Sequence, residues 1–561
     1  DPATTVFSGG RFTRQPFPNN IIPANRLDPL AQKIMEYWPA PNQTGTREFR
    51  NNHFVSYAGP FPVWTHLGRF DHSFNPNHRI YARVMREGFW SASNKRFLSD
   101  YDGMQYNQDK WGFALDDVYV FNPEFFMNLR YGFTYRWGAS YKFSRGFDLA
   151  TLGFSPNLIS QLPDKSLATF PYVGVGSFTP LSGNGTGGKW AGIINSLNAN
   201  FTKLSGHHNF RFGLDFRNYR EFNNIYTTDV SPVLSFANTY TKATDISTAA
   251  PVGAELAAFL LGVPGGYMDR SGSYAQQENY WGLYIHDDIK LTSKLTVNAG
   301  VRYEFESPIT ERFNRSVAHF AYDQPSPIEA QARANYAANP IPEIPVSDFR
   351  VRGGLTFAGT NGNPRALWSG EKNNLMPRIG IAYHLVPKTV LRAGYGIFFD
   401  TIGLSSVNSI QTGFSMRTPI QASLDSGLTY IATTANPFPN GLTPPLGAAG
   451  GLATNLGQAI SFFAENRKNP YSQRWSLGIQ QLLPAQYMID VSYVGNRGTR
   501  LPVSRNLNAL PARYLSTLPV RDNQTIAYLG QSFKTPFAGT RSMAPTLHVA
   551  GCYCLIRSLA A

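Results

Sequence analysis

Residues Phe125 to Trp137 alternate without a break, and no other feature restricts the fold as strongly. Phe125, Met127, Leu129, Tyr131, Phe133, Tyr135 and Trp137 fall on one face of an extended strand, and Phe126, Asn128, Arg130, Gly132, Thr134 and Arg136 on the other. A strand in a soluble domain has about 5–6 residues; a tilted strand that crosses a bilayer needs about 9–11. A run this long, aromatic on one side and carrying two arginines on the other, suits a wall between hydrocarbon and water.

The pattern recurs. Leu295, Val297, Ala299, Val301, Tyr303 and Phe305 oppose Thr296, Asn298, Gly300, Arg302, Glu304 and Glu306. Phe210, Phe212, Leu214 and Phe216 oppose Arg211, Gly213, Asp215 and Arg217. Leu391 to Phe399 opposes Arg392, Gly394, Gly396 and Asp400, and Tyr487, Ile489, Val491 and Tyr493 oppose Met488, Asp490 and Ser492. A β-sandwich also alternates, with its apolar face turned into a core. Several runs with aromatics gathered at the apolar positions favour a transmembrane barrel.

Composition agrees. Of the 561 residues 14% are aromatic and only 15% charged, against about 25% charged in soluble domains. No stretch of about 18 apolar residues occurs, so helical spans are excluded. The mean hydropathy of -0.26 does not argue against a membrane, because a barrel strand turns only half its residues to lipid. Lys and Arg number 50 against 36 Asp and Glu, a net charge of +14. The basic residues are scattered and form no compact block, so nucleic acid is not the expected partner. The only cysteines, Cys552 and Cys554, lie in the last ten residues, which leaves no disulfide framework in the body.

Short turns of Pro, Gly, Asn and Ser join the runs into hairpins, at Asn75–His78, Asn122–Glu124, Ser205–His207, Thr292–Lys294, Pro387–Lys388 and Pro484–Ala485. Long Pro/Gly/Ala/Asn segments separate the hairpins, roughly 142–195, 222–275, 307–373 and 402–470. Short turns at one end and long loops at the other match bacterial outer-membrane barrels, with the short turns periplasmic and the loops outside the cell. Within one loop, Ala254–Gly262 has a helical apolar face and is expected to form a short loop or interfacial helix.

Motifs for chemistry are weak. Gly183–Lys189 fits GxxxxGK, but Trp190 stands where a phosphate loop needs Ser or Thr. His207 and His208 share a tight turn. His66, His72 and His78 are spread along one hairpin, where a lumen or rim role is expected rather than metal binding. Asp287–Asp288 and Glu304/Glu306 are carboxylate pairs, the latter sharing a face with Arg302 as in an ion-pair ladder. No nucleophile–base spacing is present, so no enzyme, metal site or cofactor is expected.

With these residues in view, the chain resembles the Oar-like TonB-dependent receptors, outer-membrane proteins abundant in Acidobacteria. The resemblance is carried, in order, by Pro16–Asn42, Gly68–Arg83 (GRFDHSFNPNHRIYAR), Leu256–Pro264, Tyr284–Glu304 (YIHDDIKLTSKLTVNAGVRYE), Asn374–Asp400 and Asn469–Leu501. It implies an all-β, antiparallel transmembrane β-barrel of the TonB-dependent transporter type in the outer membrane of a Gram-negative bacterium. It also implies a regulatory-like domain, a plug and a TonB-contacting segment, none of which matches any residue here. We therefore expect a central fragment: residues 1–535 as barrel with long extracellular loops, 536–561 as an atypical tail, the sheet incomplete with open edges. Met543–Ala561 loses the alternation, as a change of reading frame would cause. The export signal is expected to have been removed or to lie upstream.

The function this implies is uptake of a bulky solute across the outer membrane, with lipid, an unidentified solute and, through a plug, the TonB complex as partners. Arg130, Arg136, Arg211, Asp215, Arg302, Glu304 and Arg392 are the lumen-facing candidates by alternation. Two alternatives use the same residues: a non-transporting adhesin or structural surface protein, and a soluble secreted carbohydrate-binding β-protein. The last requires the apolar faces to be packed in an interior.

Overall fold

The computed structural model describes residues 1–46, 50–93, 95–183, 187–225, 230–247, 253–341, 344–400, 404, 407–507, 512, 515–537 and 546–548. Twelve long strands form one antiparallel sheet in chain order: β1 (Val63–Asn75), β2 (His78–Ser93), β3 (Met104–Asn122), β4 (Phe125–Lys142), β5 (Gly188–Ser205), β6 (His208–Ile225), β7 (Ser273–Lys290), β8 (Leu295–Glu306), β9 (Asn374–Val386), β10 (Thr389–Phe399), β11 (Tyr471–Leu482) and β12 (Met488–Thr499). A thirteenth, two-residue strand, Thr310–Glu311, pairs with the loop end of β7. Each long strand bonds to its sequence neighbours, and no pairing joins β1 to β12 among the described residues. Both edge strands are exposed along almost their whole length. All six expected hairpins form.

Register puts every apolar run on one face. Trp281, Leu283 and Ile285 of β7 lie between Phe216, Leu214 and Phe212 of β6 and Phe305, Tyr303 and Val301 of β8. The same rows continue through Leu375, Ile379 and Ile381 to Tyr395, Trp475 and Leu477. These side chains are not in a core: Leu283 is 52% exposed and Leu477 53%. Toward the short turns this face carries a chain of ring contacts, Phe74–His78–Tyr119–Phe121–Phe125–Phe201–Phe212, at centroid separations of 4.7 to 6.2 Å. Nearer the loops sit Trp64 and Trp111, with Arg86 between them at 4.9 and 4.5 Å, and Trp281 against Phe216 at 4.2 Å. Two aromatic girdles bounding an exposed apolar band of about 25 Å is the outer surface of a membrane barrel. His66 and His72 belong to this apolar face, paired opposite Arg86 and Ile80. The lumen position open to them from sequence does not hold, because both share parity with Phe70. His72 and His78 sit in the girdle at the rim.

The buried core lies beyond the loop ends of the strands. The helix Pro29–Met35, the segment 149–181, the helix Ala254–Leu260 and parts of 420–442 pack Leu30, Ile34, Leu149, Phe170, Phe259 and Phe438 together. A four-stranded sheet runs through this layer, and in it Val233–Phe236 pairs parallel to Tyr172–Val175. Asp28 caps the first helix by accepting from Ala31 N at 2.8 Å, and its own N–H donates to Leu260 O at 2.8 Å. Gly262 ends the second helix at φ +66°, and a Cβ there would collide with the Asp28 carboxylate. The helix expected at Ala254–Gly262 is thus a loop helix, buried through Ala258 and Phe259. No described helix is long and apolar enough to cross a membrane.

Candidate functional site

The polar face carries a continuous row of side chains across nine strands. Neighbour to neighbour it runs Asp71, Tyr81, Asp116, Arg130, Asn198, Asp215, Gly282, Glu304 and Asn374. Strand alternation sets the face, and antiparallel register sets the row.

Its densest part lies on β6, β7 and β8. Arg302 donates from Nε to Glu304 at 2.6 Å and from Nη2 to Tyr280 Oη at 2.8 Å, with Asp215 at 3.5 Å. Arg217 grips Asp215 through Nε at 3.0 Å and Nη2 at 2.8 Å, and lies 5.4 Å from the Tyr280 ring centroid. Gly282 leaves the room these groups need, since a Cβ there would stand 2.5 Å from Arg302 Nη2. Two strands away Arg130 binds Asp116 at 2.7 Å, and Asn128 donates to the same carboxylate at 2.8 Å. Lower on the face Arg211 meets Asp288 at 3.1 Å, with His286 at 2.8 Å on the other carboxylate oxygen.

Six of the seven candidates from sequence therefore divide into distinct settings. Asp215, Arg302 and Glu304 come together. Arg130 and Arg211 each pair separately. Arg136 stacks over Trp190 at 5.3 Å. The seventh, Arg392, is on the same face, opposite Ala382 and Gly478, with no ion pair among the described residues. Sequence reading did not select Asp116, Arg217, Tyr280 or Asp288 for the site, although each shares parity with a chosen neighbour. No group of three or more His, Cys, Asp or Glu residues able to hold a metal occurs among the described residues. The glycine-rich Gly183–Lys189 lies partly outside them, as do Cys552 and Cys554.

At the loop end, carboxylates tie the connections to the sheet. Glu311 is fully buried and accepts from Ala275 N at 2.9 Å and from Phe313 N and Arg315 N at 2.7 Å. Glu371 accepts from Asn469 N at 2.7 Å and Arg500 at 3.1 Å, joining two loops to the top of β12. Beside it opens a cavity of about 1790 Å³ between 319–355, 400–470 and 500–507.

The chain matches the family described as "Outer membrane beta barrel domain" over residues 1–546. No curated protein sequence matches it. Among solved structures it is similar to the outer membrane transporter YddB from Escherichia coli, with 11% identity and TM-score 0.43, covering 79% of this chain and 41% of that one. It is also similar to the alcaligin outer membrane receptor FauA from Bordetella pertussis, at 8% identity and TM-score 0.37, covering 78% and 44%. The FrpB iron transporter from Neisseria meningitidis follows at 11% identity and TM-score 0.34, covering 81% and 47%. The chain spans less than half the length of each.

Proposed function

Since this chain belongs to the outer membrane beta barrel domain family, we propose that it forms the barrel wall of an Oar-like, TonB-dependent receptor that takes up a bulky solute. One observation carries the reading. Twelve consecutive strands form one sheet with a polar face, its ion pairs concentrated on β1 to β8, and an exposed apolar band on the other face. That is how a lumen wall differs from a sandwich sheet. The charged row would line the path or meet a plug, and the folded loops would meet the solute first. TonB and the plug enter as partners through the resemblance, and no residue of this chain is assigned to either.

Energised uptake is the test. Cells producing the full reading frame should accumulate solute only with a working TonB complex. Equal accumulation without it would overturn the transport reading. The loop layer with its own core favours one second reading, a non-transporting adhesin, for which binding of cells to a surface would persist without TonB.

A further inference from the structure

The charges of the polar face are unevenly balanced. From β1 to β8, Arg69, Arg130, Arg211, Arg217 and Arg302 each meet a carboxylate, whereas Arg79, Arg83 and Arg136 on the same face have no ion pair among the described residues. On β9, β10 and β11 the arginines Arg378, Arg392 and Arg474 have none among the described residues, and all three are exposed. Arg378 and Arg474 are the cross-strand neighbours of Gly396 on either side. The Phe398 ring covers that glycine, with the two guanidinium carbons 4.7 and 5.6 Å from its centroid. Gly380 and Gly394 keep the surrounding wall low.

This cluster lies just below the large cavity. Asp400 and Pro470 line the cavity, two residues beyond Phe398 and four before Arg474. The lining is itself cationic: Arg352, Arg467, Lys468, Arg500 and Arg505 against Asp400 and Glu465, with Lys468 and Arg500 both held by Glu371 beside the cavity. Arg467 is half-buried over Trp368 at 4.6 Å, and its Nη1 is buried with no hydrogen-bond partner. Tyr322 and Phe462 add ring faces. At about 1790 Å³ the cavity exceeds the roughly 300–1,000 Å³ of drug-sized pockets.

The geometry points to an acidic oligosaccharide, a chain of sugar rings bearing carboxylates or phosphates, as the solute, entering at the cavity and passing down the β9–β11 arginines. This rests on the receptor reading above and narrows its substrate class. Planar guanidinium forks bind such groups through paired hydrogen bonds, and a low glycine wall lets a bulky chain approach them. The aromatic faces suit sugar rings.

The test is titration of the full chain in detergent with hexagalacturonate, a sulfate-free phosphorylated oligomannose and neutral maltohexaose, at low and high salt. Acidic chains should bind and weaken with salt, and maltohexaose should not bind. The better of the two acidic probes names the group. Arg378→Ser with Arg474→Ser should weaken acidic binding about tenfold or more, while the Lys pair recovers part of it. Unchanged heat-modified gel mobility checks that these variants fold. Equal binding of maltohexaose, or an unaltered affinity in the Ser pair, would overturn the inference. An acidic peptide, hexaglutamate, binding more tightly than either sugar would also overturn it. Acidic binding without TonB-dependent uptake would count against the transport reading alone.

Discussion

Arg302 and Glu304 stand two residues apart on one strand and meet at 2.6 Å, while the same guanidinium holds Tyr280 on the next strand at 2.8 Å. One side chain thus links two strands of the wall. Arg302→Ala leaves Glu304, 14% exposed, without its guanidinium. Asp215 keeps Arg217. The expected cost is about 1–3 kcal/mol, read by urea unfolding in detergent. Arg302→Lys should recover less than half, because an ammonium cannot span both partners.

The two faces should respond differently to the same charge. Leu283→Arg puts a cation on the exposed apolar band midway along β7 and should cost roughly 2–4 kcal/mol in a bilayer. Thr134→Arg, on the polar face between Gly112 and Ile194, should cost well under half of that. Folding into lipid vesicles, followed by tryptophan fluorescence, measures both. Equal penalties would contradict the face assignment.

Glu311 anchors its loop to β7 through Ala275 N and braces the following turn through Phe313 N and Arg315 N. Glu311→Gln keeps the shape but turns an N–H₂ toward donors. It should cost about 1.5–3 kcal/mol locally and open residues 307–373 to trypsin on intact cells. The hairpins should stay resistant.

Hydrogen bonds from Thr429 and Ser423 hold the Asp425 carboxyl at about 2, below the usual range. A depressed folded value gives a contribution present above about pH 4 that disappears as pH falls through about 2. The 423–429 turn should therefore keep its protection from pepsin at pH 4 and lose it near pH 2. Asp425→Asn should be cut at both.

The sheet was legible because a strand with one face in lipid must alternate and its short turns must use turn residues. Leu295–Phe305 and all six hairpins followed from that. Strand lengths were underestimated at the loop end. The alternating run Phe125–Trp137 continues to Lys142 in β4, because Gly138–Lys142 runs beyond the apolar band and has no reason to alternate. The loop layer was invisible for a different reason. Leu30, Leu149, Phe259 and Phe438 meet across hundreds of residues, and a parallel pair such as Val233–Phe236 with Tyr172–Val175 leaves no local period. At the site, parity chose the face of Arg302 and Glu304, but partners on other strands, Tyr280 and Asp215, required the register.

With the long loops outside the cell, as proposed, their shared interior restricts how the bacterial surface can change under attack by phage or antibodies. Loops that hang free accept almost any replacement. Here an escape substitution at Leu149, Phe170 or Phe259 would hollow out the packing of several loops together. Variation is channelled to outward positions such as Ile246 and Leu424, at 61% and 76% exposure, so immune and viral pressure should leave its scars in patches and spare the framework beneath.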